Sequence, residues 1–291
     1  MRPITRRDVG RLALAGAGLA FPASVRAAPI NSNFRGVTVG VQEYSFRDRP
    51  LDASIEAMVA IGFGECEMNW MHMEPVELRK SREQLRQWRL TVPLIEFEKA
   101  GKKVRAAGID PWAYTYNMKA DFTEAEMARG FAMARALGCR AIVSSINVSV
   151  ARRIDALAKK NKMPVALHNH SRIVADEVAT PRDLYAATKD TSDYMRFCLD
   201  IGHFVAAGFN PIDFIRQNHS RILAIHVKDR KRGQGPNVPL GEGDTPIREV
   251  LQLIRDEKYA IKADIEYEYK GGETVAEVRK CFEYCKRALL S

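Results

Sequence analysis

The chain has 291 residues, 46% hydrophobic and 28% charged, with a formal net charge of +9. That is a globular composition, long enough for one large domain or two. Residues 1–27 hold five Arg and one Asp, which leaves +5 on the remainder with the signs interspersed. So mild a charge argues against a nucleic-acid partner and allows only a modest attraction for anions.

The N-terminus reads Thr5-Arg6-Arg7-Asp8, then an apolar stretch from Leu12 to Phe21, then Val25-Arg26-Ala27-Ala28. A charged start, a short apolar middle and an Ala-rich end predict a signal peptide over 1–28. The paired arginines resemble a twin-arginine export signal and predict a periplasmic protein. Residues 29–291 are read as one domain. They contain no apolar run long enough to span a bilayer, so no membrane insertion is expected after signal removal. The five cysteines (Cys66, Cys139, Cys198, Cys281, Cys285) lack paired spacing. They predict buried small hydrophobes, not a disulfide framework.

After the signal, Val37–Tyr44 is a β-branched run that predicts a strand. Asp52 is expected to cap a helix over Ala53–Ile61 that stops at Gly62. Gly64–Met68 predicts a second strand, and a polar insertion without assigned structure follows over Pro75–Arg89. A helix over Ile95–Ala107 leads to a third strand, Pro111–Tyr116. Thr123 and Glu126 predict a capping box for a helix over Thr123–Leu137, with Gly138 at its stop. Ala141–Ile146 predicts a strand and Val148–Lys160 its helix. Val165–His168 is the fifth strand, with a helix from Arg182. Arg196–Asp200 is the sixth strand, followed by a helix over Ile212–Gln217. Ile222–Val227 is the seventh strand, and a polar loop over Arg230–Asp244 precedes a helix over Pro246–Glu257. Ile261–Glu266 is the eighth strand, and a helix over Val275–Leu289 closes the chain.

Eight strand–helix units over about 260 residues have the size and rhythm of a (β/α)8 TIM barrel, whose active sites lie at the C-terminal strand ends. An open doubly wound sheet is the rival fold, but no GxGxxG follows the first strand. The last four strands end in metal-binding residue types: His168, Asp200, His226 and Glu266. Asp264 and Glu268 share the face of Glu266, and His170 that of His168, because residues two apart on a strand point the same way. A set of two histidines and two carboxylates predicts one divalent ion, with Mn, Co, Zn or Fe suited better than Mg.

Leu199–His203 (LDIGH), Ile225–Asp229 (IHVKD) and Pro239–Asp244 (PLGEGD) resemble the sugar phosphate isomerase/epimerase family, which has a xylose-isomerase-like barrel. Gly40–Phe46 (GVQEYSF) and Gly62–Met68 (GFGECEM) extend the resemblance over the whole mature chain. It implies that Asp200, His226 and Glu266 are metal ligands, Glu266 being also a base. It implies that His203 assists, and that Arg232, six after the strand-seven His, contacts a carbohydrate substrate. The family's ketose epimerases carry a Glu on strand five where this chain has His168, a departure that argues against a symmetrical two-Glu epimerisation.

A metal bridging a carbonyl and a neighbouring hydroxyl stabilises an enediolate, and a nearby base removes the α-proton. The second proton mover is sought among Glu67, His203 and His170. His170 and Lys228 are further candidates for holding substrate; Lys228 could equally reach out to solvent. The main expectation is a metal-dependent isomerase or epimerase. A metal-dependent lyase or dehydratase acting on a keto-sugar or inosose is the alternative, and a non-catalytic sugar-binding barrel another. The three-zinc apurinic endonucleases share the barrel but need more ligands than six histidines readily supply. Oligomeric state is not readable.

Overall fold

The computed structural model describes residues 27–291. The arginine pair and the apolar stretch of the expected signal lie outside the described residues. Eight parallel strands form the barrel: β1 (Val37–Gln42), β2 (Glu65–Asn69), β3 (Asp110–Thr115), β4 (Ala141–Ser144), β5 (Val165–His168), β6 (Met195–Asp200), β7 (Ile222–Val227) and β8 (Lys262–Ile265). Each pairs with its sequence neighbours, and β1 closes the ring by pairing with both β2 and β8. Every connection carries a helix that packs on the outside, so the strands are buried on both faces. That is why they read as near-continuous apolar runs such as Ile222–Val227.

The core is a shell of apolar side chains between strands and helices, with a smaller cluster (Trp112, Ala113, Ala141, Val143, Ala166, Cys198, Ala224) inside the barrel. All five cysteines are free and buried. No helix among the described residues is long and apolar enough to cross a membrane.

Several expected boundaries move for local reasons. The first helix starts at Leu51 with Pro50 at its N-cap, and Asp52 sits inside it, paired with Lys103. Thr123 caps its helix as expected, accepting from the Glu126 amide. The Glu126 carboxylate does not complete the box, because Arg82 and Arg89 take it. A reciprocal capping box forms instead between Thr180 and Asp183. The polar insertion contains a helix, Arg82–Thr91. The loop expected over Arg230–Asp244 opens with a short hairpin, Asp229–Arg230 against Asn237–Val238. Asp229 pins its base by accepting from the amides of Gly241, Gly243 and Thr245.

The segment from Ala27 lies across the N-terminal side of the barrel. Ala27 and Ile30 donate their amides to the carbonyls of Ala106 and Gly108. Gly108 has φ +84°, and a Cβ there would collide with the Ala28 carbonyl. Gly108→Ala is therefore expected to destabilise the fold by about 1 kcal/mol through the positive φ, with the strap clash adding to it only while Ala28 is present. Urea unfolding measures it; an unchanged midpoint would contradict the assignment.

Candidate functional site at the barrel mouth

The residues expected at the strand ends meet at the C-terminal mouth. His168 ends β5, Asp200 ends β6, His226 is the penultimate residue of β7, and Glu266 follows β8. Asp200 and His226 are register partners across β6 and β7. Each of the four side chains offers one ligand atom, and those atoms lie within 4.8 Å of one another. His168 Nε2 is 3.6 Å from Asp200 Oδ2 and 3.9 Å from Glu266 Oε2, and His226 Nδ1 is 3.0 Å from Glu266 Oε2. These four atoms are buried, and none has a hydrogen-bond partner in the protein. Buried polar atoms are normally satisfied, so four facing one point require an explanation.

The other atoms of the same side chains are engaged. Asp200 Oδ1 caps the helix Ile201–Ala206 by accepting from the His203 amide at 2.6 Å. His168 Nδ1 meets Ser145 Oγ at 3.1 Å. His226 Nε2 meets Glu67 Oε2 at 2.8 Å, and Glu67 Oε1 accepts from Thr115 Oγ1 at 2.5 Å. Both carboxylate oxygens of Glu67 are thus occupied. Glu67, one of the three candidate proton movers, is placed where it orients the His226 ring.

Lys228 does not reach for solvent. It is 2% exposed, and its ammonium lies 3.0 Å from Asp200 Oδ2, 3.0 Å from Glu266 Oε2 and 2.6 Å from Glu268 Oε2. Its contacts with Asp200 and Glu266 are ion pairs without hydrogen-bond alignment, so those two oxygens stay free to take a ligand. Burial disfavours the ammonium, but the three carboxylates hold its pKa above the ordinary lysine value. Burial would raise the Asp200 pKa, yet His203, Lys228 and His168 pull it well below the usual carboxylate range. Glu266 is also held low: burial opposes the charge, while Lys228 and His226 favour it. Burial opposes a charge on His226, but Cys198, Glu67 and Glu266 push its pKa well above the ordinary value.

His170 lines the mouth, and burial, then the His168 ring, lowers its pKa to about 3, so its imidazole is neutral. His203 stands behind the donor cluster. Its Nδ1 accepts from Arg230 at 2.7 Å, its Nε2 lies 3.2 Å from Lys228 Nζ, and burial holds its pKa well below normal. Its position suits bracing Lys228 more than meeting a ligand.

Arg232 is exposed on the hairpin, where its amide donates to Asp244. The guanidinium turned inward is that of Arg230, two residues earlier, which also holds Ser171 and the Gly235 carbonyl. Arg232, where the substrate contact is expected, lies in the turn between the hairpin strands Asp229–Arg230 and Asn237–Val238. Asp264 lies one layer below the cluster, fully buried, and accepts from Trp112 Nε1 at 2.9 Å. Burial, then Glu65 and Glu67, pushes its pKa well above the usual carboxylate range. Glu266 and not Asp264 faces the donor point. Glu268 stands at the rim with Lys228.

The cavity above these groups is about 580 Å3 including its open mouth, and its far side carries Gln42, Tyr44, Asn69 and Trp70. Those four belong to the ends of β1 and β2. Sequence reasoning placed the strands but assigned these residues no role.

The sequence matches the Xylose isomerase-like TIM barrel family over residues 55–287. This chain belongs to that family. Among solved structures, it is similar to an L-ribulose 3-epimerase at 15% identity, covering 86% of this chain and 94% of that one, with TM-score 0.66. It is similar to the probable 3-DHS dehydratase AsbF of Bacillus anthracis at 15% identity, covering 84% and 97%, with TM-score 0.63. It is also similar to the IOLI protein with a binding zinc atom, at 14% identity, covering 86% and 95%, with TM-score 0.63. At such identities the likeness speaks for the fold. The comparison with curated proteins finds no match.

Proposed function

We propose that this family member is a divalent-metal-dependent isomerase or epimerase acting on a sugar or keto-sugar. One observation carries the reading: four buried, unpartnered donor atoms on His168, Asp200, His226 and Glu266 face a common point. Bonds of about 2.0–2.2 Å from N and O ligands to a tetrahedral or octahedral ion separate adjacent ligands by about 3–3.5 Å. The separations of 3.0, 3.6 and 3.9 Å fit that with small adjustment. The mixed histidine and carboxylate set suits Mn, Co, Zn or Fe. The zinc atom bound by the IOLI protein is consistent with it.

What such an ion supplies is Lewis acidity at a carbonyl oxygen and stabilisation of the enediolate. The chain's own groups do the rest. Lys228 balances the carboxylates and offers an ammonium beside the developing oxyanion. Glu266 or Glu268, both lining the cavity, can take the α-proton, and neutral His170 can hold a substrate hydroxyl. A metal-dependent lyase acting on a keto-sugar uses the same proton abstraction, and the likeness to a probable 3-DHS dehydratase keeps that reading in view.

Metal analysis of the purified protein, with incubation of keto-sugars in deuterated water, tests the proposal. About one transition metal per chain and metal-dependent deuterium uptake beside the carbonyl are expected. A metal-free protein that never exchanges the α-proton would refute it. Glu67→Gln should leave the fold intact and weaken metal binding by about 10–100-fold, because the His226 ring loses its anionic brace. A competitive chelator titration reads that out.

Export is part of the same proposal. It rests on Arg6-Arg7 and the apolar stretch after it. Replacing both arginines by lysine should leave unprocessed protein in the cytoplasm; normal processing would count against it.

A further inference from the structure

The donor cluster occupies one arc of the mouth, from β5 to β8. The arc next to it round the ring, at the ends of β1 and β2, is built differently. Tyr44 follows β1 and Trp70 follows β2; both are partly exposed and line the same cavity as His168 and Glu266. Each ring is backed by a guanidinium. The Arg47 Cζ lies 4.7 Å from the Tyr44 centroid, and that of Arg79 lies 5.3 Å from Trp70. Neither arginine is loose. Arg47 donates to the carbonyls of Tyr44 and Tyr267, and Arg79 to those of Met71 and Glu74. Rings clamped in this way lose little freedom when a ligand packs on them. With the cations stacked on the rings and tied to carbonyls, the surface offered to the cavity is a neutral aromatic one. Such a surface suits the C–H face of a pyranose, since an aromatic face carries negative charge density.

A continuous chain of hydrogen bonds joins this arc to the donor cluster. Gln42 Oε1 accepts from the Tyr44 amide at 2.5 Å and from Asn69 Nδ2 at 3.3 Å. Gln42 Nε2 donates to Thr115 Oγ1, which donates to Glu67, which holds His226. All members of that chain from Gln42 to His226 are buried. The spacing between the aromatic arc and the donor point is therefore set by the fold and not by loop motion.

We infer that Tyr44 and Trp70 form a second sugar subsite, and that the substrate is a glycoside. The reacting keto-sugar lies at the donor cluster, and the ring joined to it packs on the aromatic arc. The identity of the reacting ring rests on the function proposed above, whereas the aromatic subsite binds its ring without the reaction.

The test uses the purified protein both metal-loaded and chelator-treated. Maltose, cellobiose and lactose are titrated against glucose and galactose by calorimetry and by tryptophan fluorescence. At least one disaccharide should bind about tenfold more tightly than either component sugar, the upper range of what an aromatic face contributes. The preference should survive metal removal, disappear in Trp70→Ala and persist in Trp70→Phe. Circular dichroism and metal content check that the variants fold, and Tyr44→Ala is the second variant if Trp70→Ala does not. Disaccharides that bind no better than their components, or a preference untouched by both alanine variants, overturn the inference. Full metal loading without any disaccharide preference overturns it and leaves the proposed reaction standing. Disaccharide preference in a protein that takes no metal supports the subsite and removes the reaction.

Discussion

Asp200→Asn is expected to lower metal affinity at least 100-fold and turnover at least 1,000-fold, on the order expected when a Lewis-acid site is emptied. The two oxygens of Asp200 have separate tasks, which makes the substitution clean. Oδ1 caps the helix Ile201–Ala206 through the His203 amide, and Oδ2 is the unpartnered atom facing His168 and Lys228. Asn is as good an N-cap as Asp, so the turn after β6 keeps its bond. The other end of the side chain becomes an amide NH2 group turned toward the donor point, where it can only donate. The ion site loses a ligand and a negative charge, while the barrel loses no volume. Metal content per chain, turnover and the unfolding midpoint are the three readouts. Loss of the first two with little change in the third is the expected pattern. A variant with wild-type metal content and turnover would defeat the metal assignment at its root.

The site was legible in the sequence wherever a single strand decided it. Strand periodicity places Asp200, His226 and His168 at strand ends, and the β7 run Ile222–Val227 has the boundaries expected of it. What pattern reading missed lies between elements. Glu67 and His226 are 159 positions apart, and only the closed barrel brings the carboxylate to the ring at 2.8 Å. Lys228 looked able to reach water, but three carboxylates, one ending β6 and two following β8, hold it inside. Arg232 is located by counting from His226, and counting alone does not show the hairpin that turns Arg230 inward to His203. The helix Arg82–Thr91 escaped notice because its buried positions include a charged residue as well as an apolar one. They are Leu85 and Arg89, the latter buried through ion pairs with Glu74 and Glu126.

Lys228→Met tests the electrostatics of the mouth most severely. The substitution keeps the length and most of the volume of the side chain and removes its charge. Asp200, Glu266 and Glu268 then face one another with no ammonium among them. Removing one partner of a buried ion cluster costs about 3–5 kcal/mol, because the charges left behind are neither paired nor hydrated. For a barrel of this size that lowers the unfolding midpoint by about 10 °C. The measurement becomes specific when a divalent ion is added. Lys228 Nζ already lies 3.0 Å from two of the four donor atoms, so ammonium and ion compensate the same oxygens. An ion that binds only the folded state stabilises it by mass action, and it does so more where it binds more tightly. The thermal shift on adding Mn or Zn is therefore expected to be larger in Lys228→Met than in the wild type, so that metal recovers much of the lost stability. Turnover is not expected to recover with it, since no ammonium remains beside the reacting oxygen. If the variant instead unfolds at the wild-type temperature in chelator, the three carboxylates do not depend on Lys228 in the way the geometry requires.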